Sequence, residues 1–378
     1  MQKRFALKFA AVCALAVTAG LAQAQDSIKI ANIVELSGPG TTAGTLFKNG
    51  VELAVKEINE NGGILGKKIE STTVDTQTNP GVAKGLTQKA VDDGVLAIFG
   101  PVYSGSIMVS MAESKRGEVP NFTGGEAAAI TQQGNPYVFR TAFGQSTSFP
   151  KLVKYINTKS KTLAVIYVNN DFGKGGRDTL TKLMAGGPTQ IVADISTDAG
   201  QVDFSAAVLK AKQSNADAIF AYTNEEESAR LLRELRKQGW NKPVIGETVL
   251  TSAKVVELAG EAANGAVAHV GLTVEAPQLQ AFGRRYQAEF KTVSDHNGVK
   301  GYTAVYVLKA AIEKSGKVDR KAAAAAIRNS CFSAKQHPGI LMDVCFDDKG
   351  DIDRESFITE IRNGKTVVAE TLPPLNKK

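Results

Sequence analysis

Short apolar runs alternate with amphipathic segments along the first part of the chain. The run SIKIANIV at 27–34 predicts a β-strand, and the segment LFKNGVELAVKEINEN after it places Phe47, Val51 and Ile58 on one helical face. Further strand patterns, KIESTTVD, VLAIFG and VPNFT, follow with helical patterns between them. This alternation predicts a parallel β-sheet with helices on both faces.

The same alternation starts again after the segment YVFRTAFGQ at 137–145. Strand patterns TLAVIYVN, QIVADIS, DAIFAYT and PVIGET alternate with helical ones, which predicts a second α/β unit. From AVAHVGL onward the pattern is mostly helical, with helices over 277–292, 301–316 and 319–329 that fit against either unit. Two units agree with the chain's length, since roughly 350 residues exceed what one hydrophobic core holds.

The first 24 residues have the pattern of a secretory signal peptide. Lys3, Arg4 and Lys8 precede an apolar stretch, and Ala22-Gln23-Ala24 forms an A-x-A cleavage pattern that predicts a cut before Gln25. The alternative, a membrane anchor, needs about 20 uninterrupted apolar residues, and this stretch is shorter and ends in small residues. We therefore expect an exported protein that is free of the membrane.

The charge of the chain is modest and scattered. Removal of three basic residues with the signal peptide takes the 45 basic residues to 42, against 38 acidic ones. The most charge-rich segment, NEEESARLLRELRKQ at 224–238, mixes both signs at helical spacing and reads as a solvated helix face. We expect no nucleic-acid partner.

Two cysteines, Cys331 and Cys345, remain after the predicted cleavage. In an oxidising compartment a disulfide between them is expected, closing a loop of about 15 residues and contributing about 3 kcal/mol. Two buried thiols are the alternative.

The segment Gly38-Pro39-Gly40-Thr41-Thr42-Ala43 follows the first strand and has the G-x-G-x-x-A form of a dinucleotide-binding fingerprint. Such a site needs an acidic residue about 20 residues further on, at the end of the second strand. The candidate, Asp75, lies more than about 30 residues on. We interpret the glycines instead as a turn that lets the backbone approach a ligand, and we expect no cofactor.

Patterns of catalysis are incomplete. The sequence around Ser104 lacks the first glycine of a nucleophile elbow, and Ser148-Phe149-Pro150-Lys151 matches S-x-x-K without the motifs that accompany it in hydrolases. His269, His296 and His337 are not spaced as metal ligands, and each is expected to be a surface or packing residue. We therefore expect neither an enzyme nor a metal site.

Two loops at strand ends favour binding of an anion. In GPVYSGSIMVS, Ser104 follows a strand and begins a helix, so its hydroxyl and the free N–H groups of the first turn would hold an anion. A simple N-cap is the alternative. FTGGEAAAIT repeats the arrangement, with Gly124 and Gly125 exposing backbone and Glu126 favouring either a cation or the helix dipole. Together the two loops suit a carboxylate.

Four segments, INENGGILGKKIE, DTQTNP, DFGKGGR and FDDKGDI, occur in this order behind the signal peptide. With their spacing, they resemble the periplasmic leucine/isoleucine/valine-binding proteins of ABC importers, and the resemblance spans essentially the whole mature chain. Each segment is weak alone, but the ordered set is specific.

The resemblance implies a type I periplasmic-binding fold, in which two doubly wound α/β lobes are joined by three crossovers and close on a ligand between them. The implied crossovers lie near 143–146, 268–272 and 347–352. The implied lobes are residues 26–143 with 271–346, and residues 146–268 with 352–378.

The resemblance also implies which residues hold the ligand. Ser104 and the loop that starts with Thr123, Gly124 and Gly125 would bind an α-carboxylate. In the second lobe the implied contacts are Phe172, the end of the AYTN strand at Asn224, and the loop after VIG at Glu247 and Thr248. Tyr103 and Phe172 would pack against the ligand's side chain.

Some of these positions depart from the branched-chain amino-acid pattern. Asn224 and Ala43 stand where aromatic residues are common, and an uncertainty of one residue decides whether Glu247 or Thr248 faces the ligand's amine. The resemblance thus implies a monomeric periplasmic receptor that captures a small carboxylate, most simply an aliphatic amino acid, and passes it to a membrane permease. The alternatives are an aromatic carboxylate or amide as solute, or an extracellular sensor domain.

Overall fold

Two β-sheets, each covered by helices, form the described part of the protein, which comprises residues 27–273 and 275–375 of a computed structural model. The predicted signal peptide lies outside these residues. No helix within the described ranges is both long and apolar enough to cross a membrane.

The first sheet is entirely parallel, with strand order β2-β1-β3-β4-β5. Its strands are β1 (Ile28–Val34), β2 (Ile69–Asp75), β3 (Ala97–Phe99), β4 (Asn121–Thr123) and β5 (Val138–Arg140). The helices between them are α1 (Thr41–Glu60), α2 (Pro80–Asp92), α3 (Ser104–Arg116) and α4 (Ala129–Gln132).

The second sheet has seven strands. Its parallel part comprises β6 (Thr162–Val168), β7 (Gln190–Thr197), β8 (Ala218–Tyr222), β9 (Val244–Glu247) and β10 (Ala266–Val270). The associated helices are α5 (Gln145–Lys159), α6 (Asp171–Met184), α7 (Ser205–Gln213), α8 (Glu225–Lys237) and α9 (Ala253–Ala259), with 3-10 turns at Thr248–Thr251 and Gly260–Ala263. An antiparallel hairpin of β13 (Ser356–Arg362) and β14 (Lys365–Leu372) completes the order β14-β13-β10-β9-β8-β6-β7.

The parallel strands of both sheets have the same doubly wound order. In each, the second strand lies outside the first and the next three follow on the other side, as the notation 2-1-3-4-5 describes. The order reverses between β1 and β3 in the first sheet and between β6 and β8 in the second. Ligands of doubly wound sheets bind beyond the carboxyl ends of strands at such reversals.

Helices cover both faces of the first sheet, which explains why apolar residues of β1 pack on both sides of it. Ile28, Ile30 and Val34 belong to the large core beneath α1, whereas Ala31 and Ile33 belong to a smaller core that includes residues of α2. The predicted arrangement of parallel sheets in an α/β fold is thus confirmed.

Three helices and two short strands lie between the strands β10 and β13. They are α10 (Pro277–Phe290), α11 (His296–Ser315), α12 (Arg320–Ile327), β11 (Cys331–Phe332) and β12 (Val344–Cys345). Residues of α10, α11 and α12 join the core of the first sheet. Cys331 and Cys345 face each other in the β11–β12 pair and form a disulfide, as predicted.

Helix α11 packs very closely on α1 because glycines line the contact. A Cβ at Gly50 would lie 2.1 Å from the carbonyl oxygen of Gly298, and a Cβ at Gly301 would lie 2.3 Å from that of Phe47. This approach brings the N-terminal turn of α11 to the edge of the first sheet. Residues of this turn line the cavity between the two sheets.

Two features differ from the sequence-based expectation. The β13–β14 hairpin lies in a region predicted to be mostly helical; its edge strand β14 has no buried residue and therefore carries a weak apolar signal. Helix α11 begins at His296 rather than at 301, because the Asp295 carboxylate caps it by accepting from the N–H groups of Asn297 and Gly298.

The chain passes three times between the two sheets, after β5, after β10 and after β12. The first and third passes are joined by a buried ion pair, in which Arg140 Nε lies 2.6 Å from Asp351 Oδ1. The hydroxyls of Thr131 and Ser146 donate to the other carboxylate oxygen. The exact lobe boundaries given by the resemblance remain predictions.

We expect Asp351→Ala to lower the free energy of unfolding by about 3–5 kcal/mol, because it leaves the Arg140 guanidinium buried without its partner. Urea unfolding measures the change. The matched control is Asp93→Ala, which removes an exposed ion pair with Lys89 and should leave the curve nearly unchanged. Equal curves for both variants would contradict the importance of the buried pair.

Candidate functional site

A cavity of about 240 Å³ lies where the carboxyl ends of strands from both sheets meet. Its walls come from the loops after β1, β2, β3, β4, β6, β7, β8 and β9, together with the first turn of α11. Both strand-order reversals therefore face the same cavity. Most of its lining is apolar, with a few buried charged groups, as in other small-molecule sites.

One wall of the cavity is the N-terminus of α3. Tyr103, Ser104, Gly105 and Ser106 line it, and α3 has no side-chain cap among the described residues. The N–H groups of a first helical turn have no acceptor within their own helix. This turn thus presents hydrogen-bond donors, together with the positive end of a helix dipole, to the cavity.

A buried carboxylate supports this turn from behind. Glu35 Oε2 and Oε1 accept from the N–H groups of Val102 and Tyr103, at 3.0 and 3.1 Å. Burial raises the pKa of Glu35, and these hydrogen bonds oppose the increase. Glu35 therefore fixes the segment before α3. The first-turn N–H groups, from Ser104 onward, then face the cavity.

The loop after β4 forms the adjoining wall. Gly124, Gly125 and Glu126 line the cavity, and the N–H of Ala127 donates to Ser104 Oγ at 3.3 Å. A Cβ at Gly125 would lie 2.5 Å from the Ile107 side chain and 3.0 Å from Ser104 Oγ, so the absence of a side chain here favours the close approach of the two loops. Because Ser104 Oγ accepts from the loop, its O–H remains able to donate to a ligand.

Lys300 of α11 enters the same corner. Its ammonium lies 3.0 Å from Glu126 Oε1 and donates to the Gly124 carbonyl oxygen, also at 3.0 Å. Both Lys300 and Glu126 are buried and line the cavity. The pair stabilises the loop after β4 and keeps a positive charge near the donors of α3.

The opposite wall is the start of α8. Asn224 caps this helix in a capping box with Glu227, and Glu225 in the first turn is buried and lines the cavity. Burial, and secondarily the charge of Asp295, raise the pKa of Glu225 to about 8. On the same turn, Glu226 accepts from the Thr42 hydroxyl at 2.6 Å, which links α8 to α1 across the cavity.

An aromatic surface completes the second sheet's side. The Phe172 ring lines the cavity and stacks on Tyr222, with ring centroids 4.1 Å apart. Gln145 Nε2 donates both to the Phe172 carbonyl oxygen and to the Tyr222 hydroxyl. Phe172 is therefore held in place from behind.

The predicted site residues divide into two groups. Six of them line the cavity: Tyr103, Ser104, Gly124, Gly125, Phe172 and Asn224. The other three do not. Thr123 is buried in β4. The Glu247 carboxylate turns toward His269, with Oε1 2.9 Å from Nδ1. The Thr248 hydroxyl donates to Glu247, and Thr248 lines a neighbouring cavity of about 310 Å³.

Four charged or ionisable residues at the cavity were not predicted as ligand contacts. Glu225, His296 and Lys300 line the cavity, and Glu35 supports its wall from behind. His296, expected to be a surface or packing residue, is buried at the start of α11, and burial lowers its pKa to about 3. Glu225 lies in the charge-rich segment 224–238, which the sequence predicted to be a solvated helix face. Its position directly after the AYTN strand was the available signal, since first-turn residues after a strand face the strand-end cleft.

A cavity between two doubly wound sheets joined by three passes of the chain is typical of two-lobed solute-binding proteins. Residues 27–366 match the family model described as periplasmic binding protein, and the chain belongs to this family. The described fold is that of the type I periplasmic-binding proteins.

Relatives of known name cover nearly the whole chain. The Leu/Ile/Val-binding protein BraC3 of Rhizobium johnstonii is 31% identical over 354 residues, which is 92% of this chain and 95% of the relative. A leucine-, isoleucine-, valine-, threonine- and alanine-binding protein of Pseudomonas aeruginosa is 27% identical over 359 residues, covering 94% of this chain and 95% of the relative.

Solved structures agree on the fold. The branched-chain amino acid transporter substrate-binding protein LivJ of Streptococcus pneumoniae, in complex with isoleucine, has a TM-score of 0.82 and 26% identity, covering 92% of this chain and 100% of LivJ. A solute-binding protein of an ABC transporter from R. palustris, in complex with benzoate, has a TM-score of 0.84 at 22% identity. The match covers 93% of this chain and 98% of that protein. At this identity the second likeness shows the fold alone.

We expect Glu225→Gln to flatten the pH dependence of stability in the ligand-free protein. A carboxyl whose pKa is about 8 in the folded state, against an ordinary 4.5, resists ionisation there, so stability falls as pH rises from about 4.5 to about 8. Melting temperatures at intervals across this window measure the slope. The control Glu257→Gln changes an exposed carboxylate and should keep the wild-type slope. Parallel curves for the wild type and both variants would contradict a raised pKa of Glu225.

Proposed function

We propose that the protein is the solute receptor of an ABC importer and captures a small carboxylate, most simply an aliphatic amino acid. The observation that carries this proposal is the α3 N-terminus, where uncapped N–H groups and the Ser104 hydroxyl lie at the cavity. Family membership and the names of the relatives support the same conclusion.

Among the described residues, two helix starts at the cavity, those of α1 and α3, have no side-chain cap, but only α3 combines free N–H groups with a serine hydroxyl and the Gly125 loop, whereas the Thr42 hydroxyl of α1 already donates to Glu226. Asn170 caps α6, Asn224 caps α8 and Asp295 caps α11, each by accepting from backbone N–H groups of its own helix. A ligand carboxylate on Ser104, Gly105 and the Gly125 loop would receive charge-assisted hydrogen bonds from the uncapped start of α3.

The remaining space suits an apolar side chain. Ala43, Val102, Tyr103, Phe172 and Val249 contribute to a lining that is mostly apolar. A cavity of about 240 Å³ accommodates an amino acid of the size of leucine or a single-ring acid.

An aromatic carboxylate is the second candidate, and a specific observation favours it. Glu247, the predicted partner of a ligand amine, is engaged by His269 and does not line the cavity. The Phe172–Tyr222 stack offers a flat surface on which an aromatic ring would pack.

In this proposal the chain is exported by its signal peptide, works in the periplasm as a monomer and performs no catalysis. The ligand bridges the two lobes and favours their closed arrangement, which a membrane permease then recognises. Closure follows from differential affinity alone, because a ligand that touches both lobes binds the closed state better than the open one.

A thermal-shift screen of refolded, ligand-stripped mature protein tests the proposal, with aliphatic and aromatic amino acids, their amides, urea and aromatic acids as the panel. A ligand at 100 times its Kd adds about 2.7 kcal/mol of stability. We expect the largest shift from an aliphatic amino acid, and Ser104→Ala should weaken its binding roughly tenfold by removing one donor to a charged group.

The control variant Ser71→Ala replaces an exposed serine on the edge strand β2 and should bind like the wild type. A shift with aromatic acids alone would select the second candidate. No shift with any carboxylate in the panel would contradict the proposal.

A further inference from the structure

A group of three ionisable side chains in the cleft lies apart from the carboxylate-binding wall. Glu225 of α8, together with Asp295 and His296 at the start of α11, place one ligand atom each within 4.8 Å of one another. Glu225 and His296 line the cavity, and Asp295 lies directly behind them, lining the neighbouring one. The group therefore spans the cleft, since α8 belongs to the second sheet and α11 packs on the first.

The two carboxylates have no cation of their own. Within the described ranges, neither Glu225 nor Asp295 forms a salt bridge with a lysine or arginine. Lys300, which is on the same helix, is paired with Glu126. The Asn297 amide lies between them, with Nδ2 3.4 Å from Glu225 Oε1 and 3.3 Å from Asp295 Oδ2.

His296 provides an independent sign that this group has an outside partner. Its side chain is 5% exposed, and Nδ1 lies 3.5 Å from Asp295 Oδ2 but has no hydrogen-bond partner in the described part of the chain. Because its pKa is lowered to about 3 by burial, and further by Lys300, the ring is neutral. In the tautomer protonated at Nε2, Nδ1 is an acceptor.

We propose that Glu225, Asp295 and His296 form an ammonium subsite, which binds a cationic group of the solute as the carboxylate pair releases a proton to solvent. An ammonium group has three N–H donors, and the group offers two carboxylate oxygens and one imidazole nitrogen as acceptors. The inference rests on the proposed function and narrows its solute class to molecules that carry both a carboxylate and an ammonium group.

The proton release follows from the like charges across the cleft. Two buried carboxylates this close cannot both ionise at low cost, so a proton is retained while no cation is bound. The raised pKa values of Glu225 and Asp295, each caused first by burial, agree with this. Binding of an ammonium replaces that proton, and the proton leaves to the buffer.

Isothermal titration calorimetry with matched ligand pairs tests the inference. The pairs are L-leucine with 4-methylpentanoate and L-phenylalanine with 3-phenylpropanoate, which differ only in the ammonium group. In one pair or both, we expect the amino acid to bind at least about tenfold more tightly. Its Kd should fall about tenfold between pH 6 and pH 7 and level off above about pH 8. Buffers of different ionisation enthalpy should report close to one proton released at pH 7.

The variant Glu225→Gln keeps the side-chain shape and should abolish both the proton release and the preference for the amino acid. The control Glu257→Gln, which alters an exposed carboxylate, should behave as the wild type. Retention of the fold is checked by a cooperative melting transition in each variant.

Other outcomes separate this inference from the proposed function. Equal binding of the desamino acids, or amino-acid binding without pH dependence, would overturn the ammonium subsite while the carboxylate receptor stands. Absence of binding by all four ligands would overturn both. Micromolar binding of Zn²⁺ that Glu225→Gln removes, with amino-acid affinity unchanged, would assign the group to a metal ion and overturn the inference.

Discussion

The buried ion pair of Arg140 and Asp351 is the interaction on which the cleft depends. The Arg140 guanidinium also donates to the carbonyl oxygens of Gly125 and Ala127. The same arginine therefore joins two passes of the chain between the sheets and holds the loop of the candidate carboxylate site. Burial alone would raise the pKa of Asp351, but the charge of Arg140 and its hydrogen bonds hold that pKa below its ordinary value. The connection between the lobes and one wall of the cavity therefore share a single electrostatic centre.

Around that centre, most buried charges of the cleft are satisfied from within the protein. Glu35 accepts from the N–H groups before α3, Lys300 pairs with Glu126, and Asp295 caps α11. These groups stabilise loops and helix starts, so their desolvation is offset locally. Glu225 differs, because its contacts are weak and its nearest charged neighbour is another carboxylate. A group in this state favours a partner that comes from outside, as strongly perturbed carboxyls in clefts commonly do.

Much of the fold could be predicted from the sequence because it rests on local patterns. The alternation of apolar strands and amphipathic helices, the restart near 145 and the loops at Ser104 and Gly125 are readable in short windows. The first turn of α11 is not: His296 and Lys300 reach the cleft only because Gly50 and Gly301 let two helices, about 250 residues apart in sequence, approach closely. The orientation of Glu247 likewise depends on His269 in a neighbouring strand, a contact that no local pattern encodes.

Contacts across the cavity affect the approach of the two sheets in different ways. Thr42 and Glu226 hydrogen-bond across the cavity, and Gly105 approaches Asp171 so closely that a Cβ would lie 2.7 Å from its carboxylate. Glu225 and Asp295 face each other from α8 and α11, and burial and their proximity disfavour ionisation of both at once. A ligand can shift the balance between open and closed arrangements only by binding one of them better. A solute whose carboxylate is held by α3 and whose cation lies between Glu225 and Asp295 would add attraction at one end and replace the retained proton at the other. Charge arrangement, more than buried apolar area, would then decide which solutes close the cleft.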